Sequence, residues 1–533
     1  MAPRSASTVS RRRLLRGGAA VAGLLAAPRI GRARENSVLR FVPQADLAVL
    51  DPIFTTAAVT THHAQMVFDT LYGLDMKFRP QPQMVEGHVV APDGLTWTMT
   101  LREGLKFHDG TPVRGRDVVA SVKRWGARDM YGQEVIARSD EISAPADRTV
   151  VFRLKKPFPT LPAALGKNGS SICAIMPERI AAIPASTAVT EMVGSGPFRF
   201  LASERLAGAH VAYARFEGYV PRQDGVQSRM AGPKIAYFDR VEWNVIPDDA
   251  TAAAALMSGE VDWLEITSTD LTDMLKRNKA LKPYLTTDLY SDILRFNWLQ
   301  PPFDNPAIRR ALLGAVNQAD YMAAGYGTDP AGWKVDAGFF TSDSPMSSKA
   351  GLEVLTGPRD VGKVKQELLA AGYKGERVVL LQANDYPTLM GLAEVAGDML
   401  KQVGMNVDVQ TGDWGTISQR RANRGPLDKG GWSIFVTALS NAVDPGGHLG
   451  LRANGGKAWF GWPDSPKLES LRQDWLVASD EAAQHRICEQ MQLQALQDVP
   501  YIPLGEYRTR SAYRADLTGI STGEPLFYGV KRV

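Results

Sequence analysis

Residues 93–125 read DGLTWTMTLREGLKFHDGTPVRGRDVVASVKRW. Leu95, Trp97, Met99 and Leu101 alternate with Thr96, Thr98, Thr100 and Arg102, the period of two that gives a strand one buried face. Leu105 and Phe107 alternate with Lys106 and His108, which predicts a second, short strand. Asp109-Gly110-Thr111-Pro112 supplies a turn, after which Val118, Val119, Val122 and Trp125 recur as in a helix. Arg114 stands where Ser or Thr would cap that helix, so Asp117 is left to favour its N-terminus electrostatically. The order is strand, strand, helix, and the stretch holds no catalytic constellation.

Further along, residues 377–383 are β-branched and apolar, and 387–403 place Leu389, Leu392, Val395, Met399 and Val403 at spacings of three and four. Gly404 suits the end of that helix. Residues 405–411 are again strand-like, a helix is expected near 414–423, and 432–439 is an apolar strand. This βαβαβ order predicts an α/β protein, a sheet with helices on its faces. A strand is expected at 39–43, a helix at 481–496 and the start of a terminal strand at 499–504. The roughly 500 residues beyond the N-terminal leader exceed a single core, since cores stop growing near 250–300 residues. Two or three compact units are therefore expected, with no internal repeat to suggest a solenoid.

Six further segments bear, together with 93–125, on what the chain resembles: LDP at 50–52, GSGPFRF at 194–200, SGEVDWLE at 258–265, FNWLQPPFDNPAIRRAL at 296–312, LLAAGY at 368–373 and QALQDVPYIPL at 494–504. Gly259 can cap a helix, Gly372 can close one over 360–371, and Pro306 suits a first helical turn. In this order, along almost the whole chain, the segments resemble the family 5 extracellular solute-binding proteins, the dipeptide, oligopeptide and nickel receptors of ABC importers. The resemblance implies a two-lobed periplasmic-binding-protein fold of class II, with an extra subdomain inserted in the first lobe. Its expected boundaries are 38–270 for lobe 1, with the insertion at about 75–185, then 271–485 for lobe 2 and a return to lobe 1 over 486–533. Crossings between lobes are expected at 268–275 and 480–500. The implied activity is capture of a peptide or other small solute and its delivery to an inner-membrane permease, by a monomer without cofactor, metal or catalytic residue. The alternative is a periplasmic hydrolase on the same scaffold, which requires a nucleophile and a base to converge in the cleft.

The N-terminus fits export. Ser10-Arg11-Arg12-Arg13-Leu14-Leu15-Arg16 has the paired arginines of a twin-arginine signal, and 17–27 is weakly apolar. Those eleven residues are too short for a bilayer that needs about 20. Gly31-Arg32-Ala33 offers small residues for cleavage after Ala33, so 1–33 is expected to be a signal peptide and the mature chain periplasmic rather than membrane-spanning. No cysteine adjoins the cleavage point to carry a lipid. Residues 1–33 hold seven arginines and no acid, which turns the chain's formal +4 into 54 Lys and Arg against 57 Asp and Glu beyond them, or −3. Nothing in that balance suggests nucleic-acid binding. Cys173 and Cys488 could pair in an oxidising compartment or remain buried thiols.

Competing motifs are weak. Gly357 to Lys363 has phosphate-loop spacing, but Val364 replaces the hydroxyl that would hold magnesium. His62 and His63 would diverge by about 100° on a helix, which argues against a shared metal. No H-E-x-x-H, C-x-x-C or strand-borne G-x-S-x-G occurs, and Asp248-Asp249 reads as a solvated loop pair.

Among the aromatics Phe54, Trp298, Trp414, Trp432, Trp459 and Trp462, only Trp414 directly follows a strand end, where open α/β sheets place their ligand crevices. By the resemblance, Trp414 corresponds to a tryptophan lining the peptide cleft, and Thr55 and Thr56 to a loop that offers hydrogen bonds. The segment from Thr437 to Asp444 corresponds to the loop whose Asp holds a peptide's α-amine. Asn441 stands at that position, and an amide cannot neutralise a buried ammonium. Either Asp444 takes the role or the ligand lacks a free amine, and the second is favoured. The candidate ligand-binding residues are therefore Thr55, Thr56, Trp414, Thr437, Asn441 and Asp444.

Overall fold

The computed structural model describes residues 37–440 and 442–533. The expected signal peptide at 1–33 and the candidate residue Asn441 lie outside the described residues.

The 93–125 stretch forms one strand rather than two. Thr96–Leu101 lies between Val85–Val90 and Thr149–Leu154 in a four-stranded antiparallel sheet completed by Ser139–Ala146. Trp97, Met99 and Leu101 are buried while the threonines between them are half-buried, as the alternation requires. Residues 105–107 make only an isolated bridge, Lys106 to Pro112. The Asp109 carboxylate accepts the Thr111 N–H at 3.0 Å and turns the chain at once, and Pro112 has no N–H with which to extend a ladder. The helix follows as Gly115–Gly126. Asp117 does more there than oppose a dipole: one carboxylate oxygen accepts the Arg114 N–H at 2.8 Å and the other the Glu178 N–H at 2.7 Å.

Two larger mixed sheets carry the rest. The seven-stranded sheet runs Leu281–Leu285, Arg510–Arg514, Trp263–Leu264, Val38–Val42, Arg240–Asn244, His210–Arg215 and Phe198–Phe200. Val38–Val42 is parallel to both its neighbours. Beneath it, Phe41 packs on Trp243, Trp263 and Phe527 with ring centroids 4.9–5.7 Å apart. The six-stranded sheet runs Trp333–Lys334, Tyr501–Tyr507, Tyr290–Phe296, Ile434–Leu439, Arg377–Ala383 and Asn406–Gly412. Its last three strands are mutually parallel, with the expected helix, Pro387–Gln402, between two of them.

The chain passes from the first large sheet to the second between Leu285 and Tyr290, and returns between Tyr507 and Arg510. Both points are later than the expected 268–275 and 480–500. The helix Thr269–Leu275 still buries Leu275 beside Leu264, Leu281 and Ala512 of the first sheet, and Glu481–Asp498 still buries Met491 and Ala495 in the core of the second. Helical periodicity locates those helices but is silent on which sheet they cover.

The four-stranded unit touches both large sheets. Arg124 of its helix reaches Asp51 at 2.6 Å, beside the first sheet. Its Trp97, Met99 and Phe152 belong to one apolar cluster with Leu294 and Val436 of the second. Glu134, on the helix Met130–Arg138, pairs with Arg472 at 3.0 Å on the helix Pro466–Trp475. Cys173 and Cys488 are both buried and free, so the disulfide alternative is not realised.

Candidate functional site

Parallel strands deliver their C-terminal ends to one edge of a sheet, and loops there are free to hold a ligand because helices cover the faces. In the six-stranded sheet that edge carries Tyr386 after Arg377–Ala383, Trp414 after Asn406–Gly412 and Ser440 after Ile434–Leu439. The antiparallel neighbour Tyr290–Phe296 sets Ser291 opposite Leu439, which brings the crossing residues 288–290 to the same edge. In the seven-stranded sheet, Val38–Val42 leads into the loop bearing Thr56 and the helix Ala58–Val67.

These ends meet around a cavity of about 60 Å³. Thr56 and His62 line it from the first side, Ser440 and Val443 from the second, and Asp288 and Tyr290 from the crossing itself. Arg229, Asn168 and Glu524 close the remaining wall. Arg229 grips Asp288 with two guanidinium N–H groups, at 2.5 and 3.0 Å, and lies 4.8 Å from the Phe78 ring, another lining residue. Phe78 and Arg229 both have left-handed backbone, φ 57° and 49°, and side chains other than glycine adopt that region only when their surroundings impose it. Such strain concentrates at binding sites.

Burial raises the affinity of the Asp288 carboxyl for its proton and the nearby Glu524 anion adds to the effect, against the opposing pull of Arg229. Burial likewise lowers the pKa of His62 and raises that of Glu265, whose carboxylate lies 3.3 Å from the His62 ring. His62 and His63 have different partners: His63 meets the Tyr213 hydroxyl at 2.9 Å, not Glu265. Tyr290 stacks on Tyr507, and Tyr507 on Tyr326, which donates to the buried Asp292 at 2.7 Å.

The expected site residues are brought together only in part. Thr56 lines the cavity, whereas the Thr55 hydroxyl accepts the Ala57 N–H at 3.2 Å and caps the turn. Thr437 is buried in its strand opposite Ile293, before the edge loop that begins at Ser440. Asp444 accepts the N–H groups of Gly446 and Gly447 at 2.8 and 3.1 Å, an occupation that ties it to its own turn. Trp414 lies outside the cavity lining: its ring meets Tyr386 edge-on at 6.0 Å and carries the Arg421 guanidinium 4.8 Å above it. Trp432 and Trp462 are core residues, and Trp298 is stacked beneath Arg309 at 3.6 Å. Gly357 follows the short helix Glu353–Thr356, not the strand a phosphate loop needs. Arg229, Asp288 and Glu524 were not anticipated. They lie far apart in the chain without a shared motif, and only the location of the crossing at 286–289 would have singled out Asp288. Among the described residues no His, Cys, Asp and Glu cluster is arranged to hold a metal, and no helix is long and apolar enough to cross a membrane.

Residues 79–451 match the model of the bacterial extracellular solute-binding proteins, family 5. The chain belongs to that family. It is 36% identical, over 98% of its length and 100% of the relative, to the probable peptide ABC transporter periplasmic-binding protein y4tO of Sinorhizobium fredii. It is 25% identical to the glutathione-binding protein GsiB of Escherichia coli K12, over 89% of this chain and 90% of that one. Among solved structures it resembles the periplasmic binding protein DppA of Helicobacter pylori in complex with the peptide STSA, at TM-score 0.77 and 21% identity, covering 93% of this chain and 98% of the other. The mixed α/β architecture is thus that of periplasmic binding proteins, and the relatives are binding proteins by name.

Proposed function

We propose that this chain is the periplasmic solute receptor of an ABC importer, which holds a peptide or peptide-like molecule between two lobes and passes it to an inner-membrane permease without altering it. The observation that carries the reading is the cavity at the junction of the two large sheets, walled by Thr56 from one, Ser440 from the other and Asp288 from the segment that joins them. A ligand there touches both sides only when they are together, so it stabilises the closed arrangement. A volume of about 60 Å³ admits a few waters, whereas small-molecule sites span roughly 300–1,000 Å³. Entry of a solute therefore requires the walls to part, with 286–289 and 508–509 as the hinge. In this reading the seven-stranded sheet is lobe 1, the six-stranded sheet lobe 2 of a class II fold, and the four-stranded unit the inserted subdomain. The names of y4tO and GsiB, one a peptide transporter component and the other a glutathione-binding protein, support a peptide-like cargo.

The test is native mass spectrometry of the mature protein with a mixture of di- to tetrapeptides and glutathione. Retention of a solute, with a thermal shift that grows with its concentration, is expected: about 2.7 kcal/mol of stabilisation at a hundredfold excess over Kd. Retention of nothing, or release of a hydrolysed product, contradicts the reading.

Residues 1–33 are proposed to export the chain by the twin-arginine route, on the strength of Arg11-Arg12 ahead of a weakly apolar run. Replacing both arginines by lysine is expected to leave the protein in the cytoplasm, and undiminished periplasmic delivery of that variant would refute the route.

A further inference from the structure

A second pocket, of about 570 Å³, opens between the helix Gly115–Gly126 of the four-stranded unit and the segment 178–185, and shares no lining residue with the cavity at the sheet junction. Its construction follows from the helical repeat. Arg116, Val119, Ala120, Lys123 and Ala127 recur at steps of three and four, so they form one face of the helix, and that face is the first wall. Asp117, Ser121 and Arg124 form the adjoining face, and each ties down the opposite wall. An Asp117 oxygen accepts the Glu178 N–H at 2.7 Å, the Ser121 hydroxyl oxygen accepts the Met176 N–H at 2.9 Å, and the Arg124 guanidinium donates to the carbonyls of Ile183 and Thr187. The two walls are therefore pinned at a fixed spacing, and the space between them is built in.

Its floor spans a seam between two cores. Val119 and Ala185 pack on the apolar cluster that holds Trp97 and Trp125, and Ala120 and Ile183 on the one that holds Phe41 and Trp243. Apart from Arg116, Lys123, Arg124 and Glu178, every lining side chain is Ala, Val or Ile. There is no side-chain hydroxyl or amide to bond a sugar or a peptide, and no ring on which to stack a base. Such a surface fits an aliphatic chain.

Charge sets the polar end. Arg116 pairs with Glu178 at 3.5 Å, and Arg124 with Asp51 at 2.6 Å. Lys123 forms no ion pair and no side-chain hydrogen bond among the described residues. Arg124, only 5% exposed, keeps a buried Nε with no acceptor in the same wall. Both unmet groups are cationic donors, so what the pocket lacks is an anion with acceptor oxygens.

We propose that this pocket binds an unbranched aliphatic carboxylate, its chain along the alanine-lined floor and its head at Lys123 beside Arg124. The volume falls within the roughly 300–1,000 Å³ of small-molecule sites, and a mostly apolar lining with a few placed polar groups is their usual make-up. The site requires nothing of the receptor reading.

The test is titration of hexanoate, octanoate, decanoate and decanol into the mature protein, with hydrogen–deuterium exchange to locate the binding. Decanoate is expected to bind saturably and to slow exchange at 116–127 and 178–185 while 286–290 is unchanged. Affinity is expected to rise along the acid series by roughly fourfold for each methylene buried. Lys123→Gln, at an exposed helix position, is expected to weaken decanoate about tenfold, the loss of one charge-assisted bond, and to leave decanol as it was. Ala182→Leu, at an exposed lining position, is expected to weaken both by filling the space, at an unchanged melting temperature. Should that variant fail to fold, Lys123→Gln decides alone. Absence of saturable decanoate binding, protection at 286–290 in place of 116–127, or decanol bound as tightly as decanoate overturns the inference. A Lys123→Gln variant that binds decanoate as wild type does overturns it too, as does protection of 116–127 by di- to tetrapeptides but not by decanoate.

Discussion

Arg124→Met is expected to cost about 3 to 5 kcal/mol, because it strands a buried carboxylate. Asp51 is fully buried in the Leu50-Asp51-Pro52 turn, where its oxygens accept the N–H groups of Ile53 and Val189 at 3.0 and 2.9 Å. Arg124 is its only cation among the described residues, at 2.6 Å, and the same guanidinium also satisfies the carbonyls of Ile183 and Thr187. Denaturant unfolding of Arg124→Met, Asp51→Asn and the double variant checks this. The double variant is expected to be less destabilised than the two single losses added together, since each single change leaves the other group unpaired. Strict additivity would show that the pair is not coupled.

Gly194→Ala is expected to be nearly as damaging, by overpacking rather than by lost charge. A Cβ there would lie 2.0 Å from the Val67 carbonyl oxygen and 2.7 Å from its carbon, which are backbone atoms and cannot swing aside. Overpacking of a tight core costs about 1 to 3 kcal/mol, and here the strain also falls on His108. Its N–H donates to the Gly194 carbonyl at 2.9 Å and its ring reaches the Gly196 carbonyl at 3.0 Å. The measurement is the thermal midpoint of Gly194→Ala beside Gly208→Ala. Gly208 has open space around its Cβ, although its φ of 77° adds strain of its own, so a smaller loss at Gly194 than at Gly208 would contradict the account.

These joints explain what the sequence segments are for. His108 from 93–125 and Gly194 and Gly196 from GSGPFRF are partners in one contact, and Asp51 of LDP meets Arg124 of the 93–125 helix. Asn297 of the 296–312 segment donates to the Trp432 carbonyl at 2.8 Å, while Arg309 of the same segment covers Trp298. The motifs were legible as a family pattern because they hold the scaffold together, and they say little about ligand for the same reason.

Local structure could be read well where one short-range rule governs it. The alternation at Trp97, Met99 and Leu101, the helix periodicity from Leu389 to Met399, and the glycines at 259, 372 and 404, with φ of 81°, 92° and 87°, are decided within a few residues. Sheet membership is not. Arg510–Arg514 leaves the second sheet because it pairs with Leu281–Leu285, more than two hundred residues earlier, and no periodicity encodes that choice. The cavity is harder still: Arg229 and Asp288 are 59 positions apart, and Asp288 and Glu524 are 236 apart. Thr56 could be anticipated because it lies just beyond Leu50-Asp51-Pro52, a segment of the family pattern. The acidic wall could not, since isolated Asp and Glu residues in loops are ordinarily solvated.

The central claim is that a solute sits where the two large sheets meet. Hydrogen–deuterium exchange of the mature protein, with and without the di- to tetrapeptide and glutathione mixture, tests it most directly. The account predicts slower exchange at 55–62, 168–170, 286–290, 440–444 and 523–525 when a solute binds, with little change in the four-stranded sheet. Binding that protects a different surface and leaves 286–290 and 523–525 exchanging as before would contradict it.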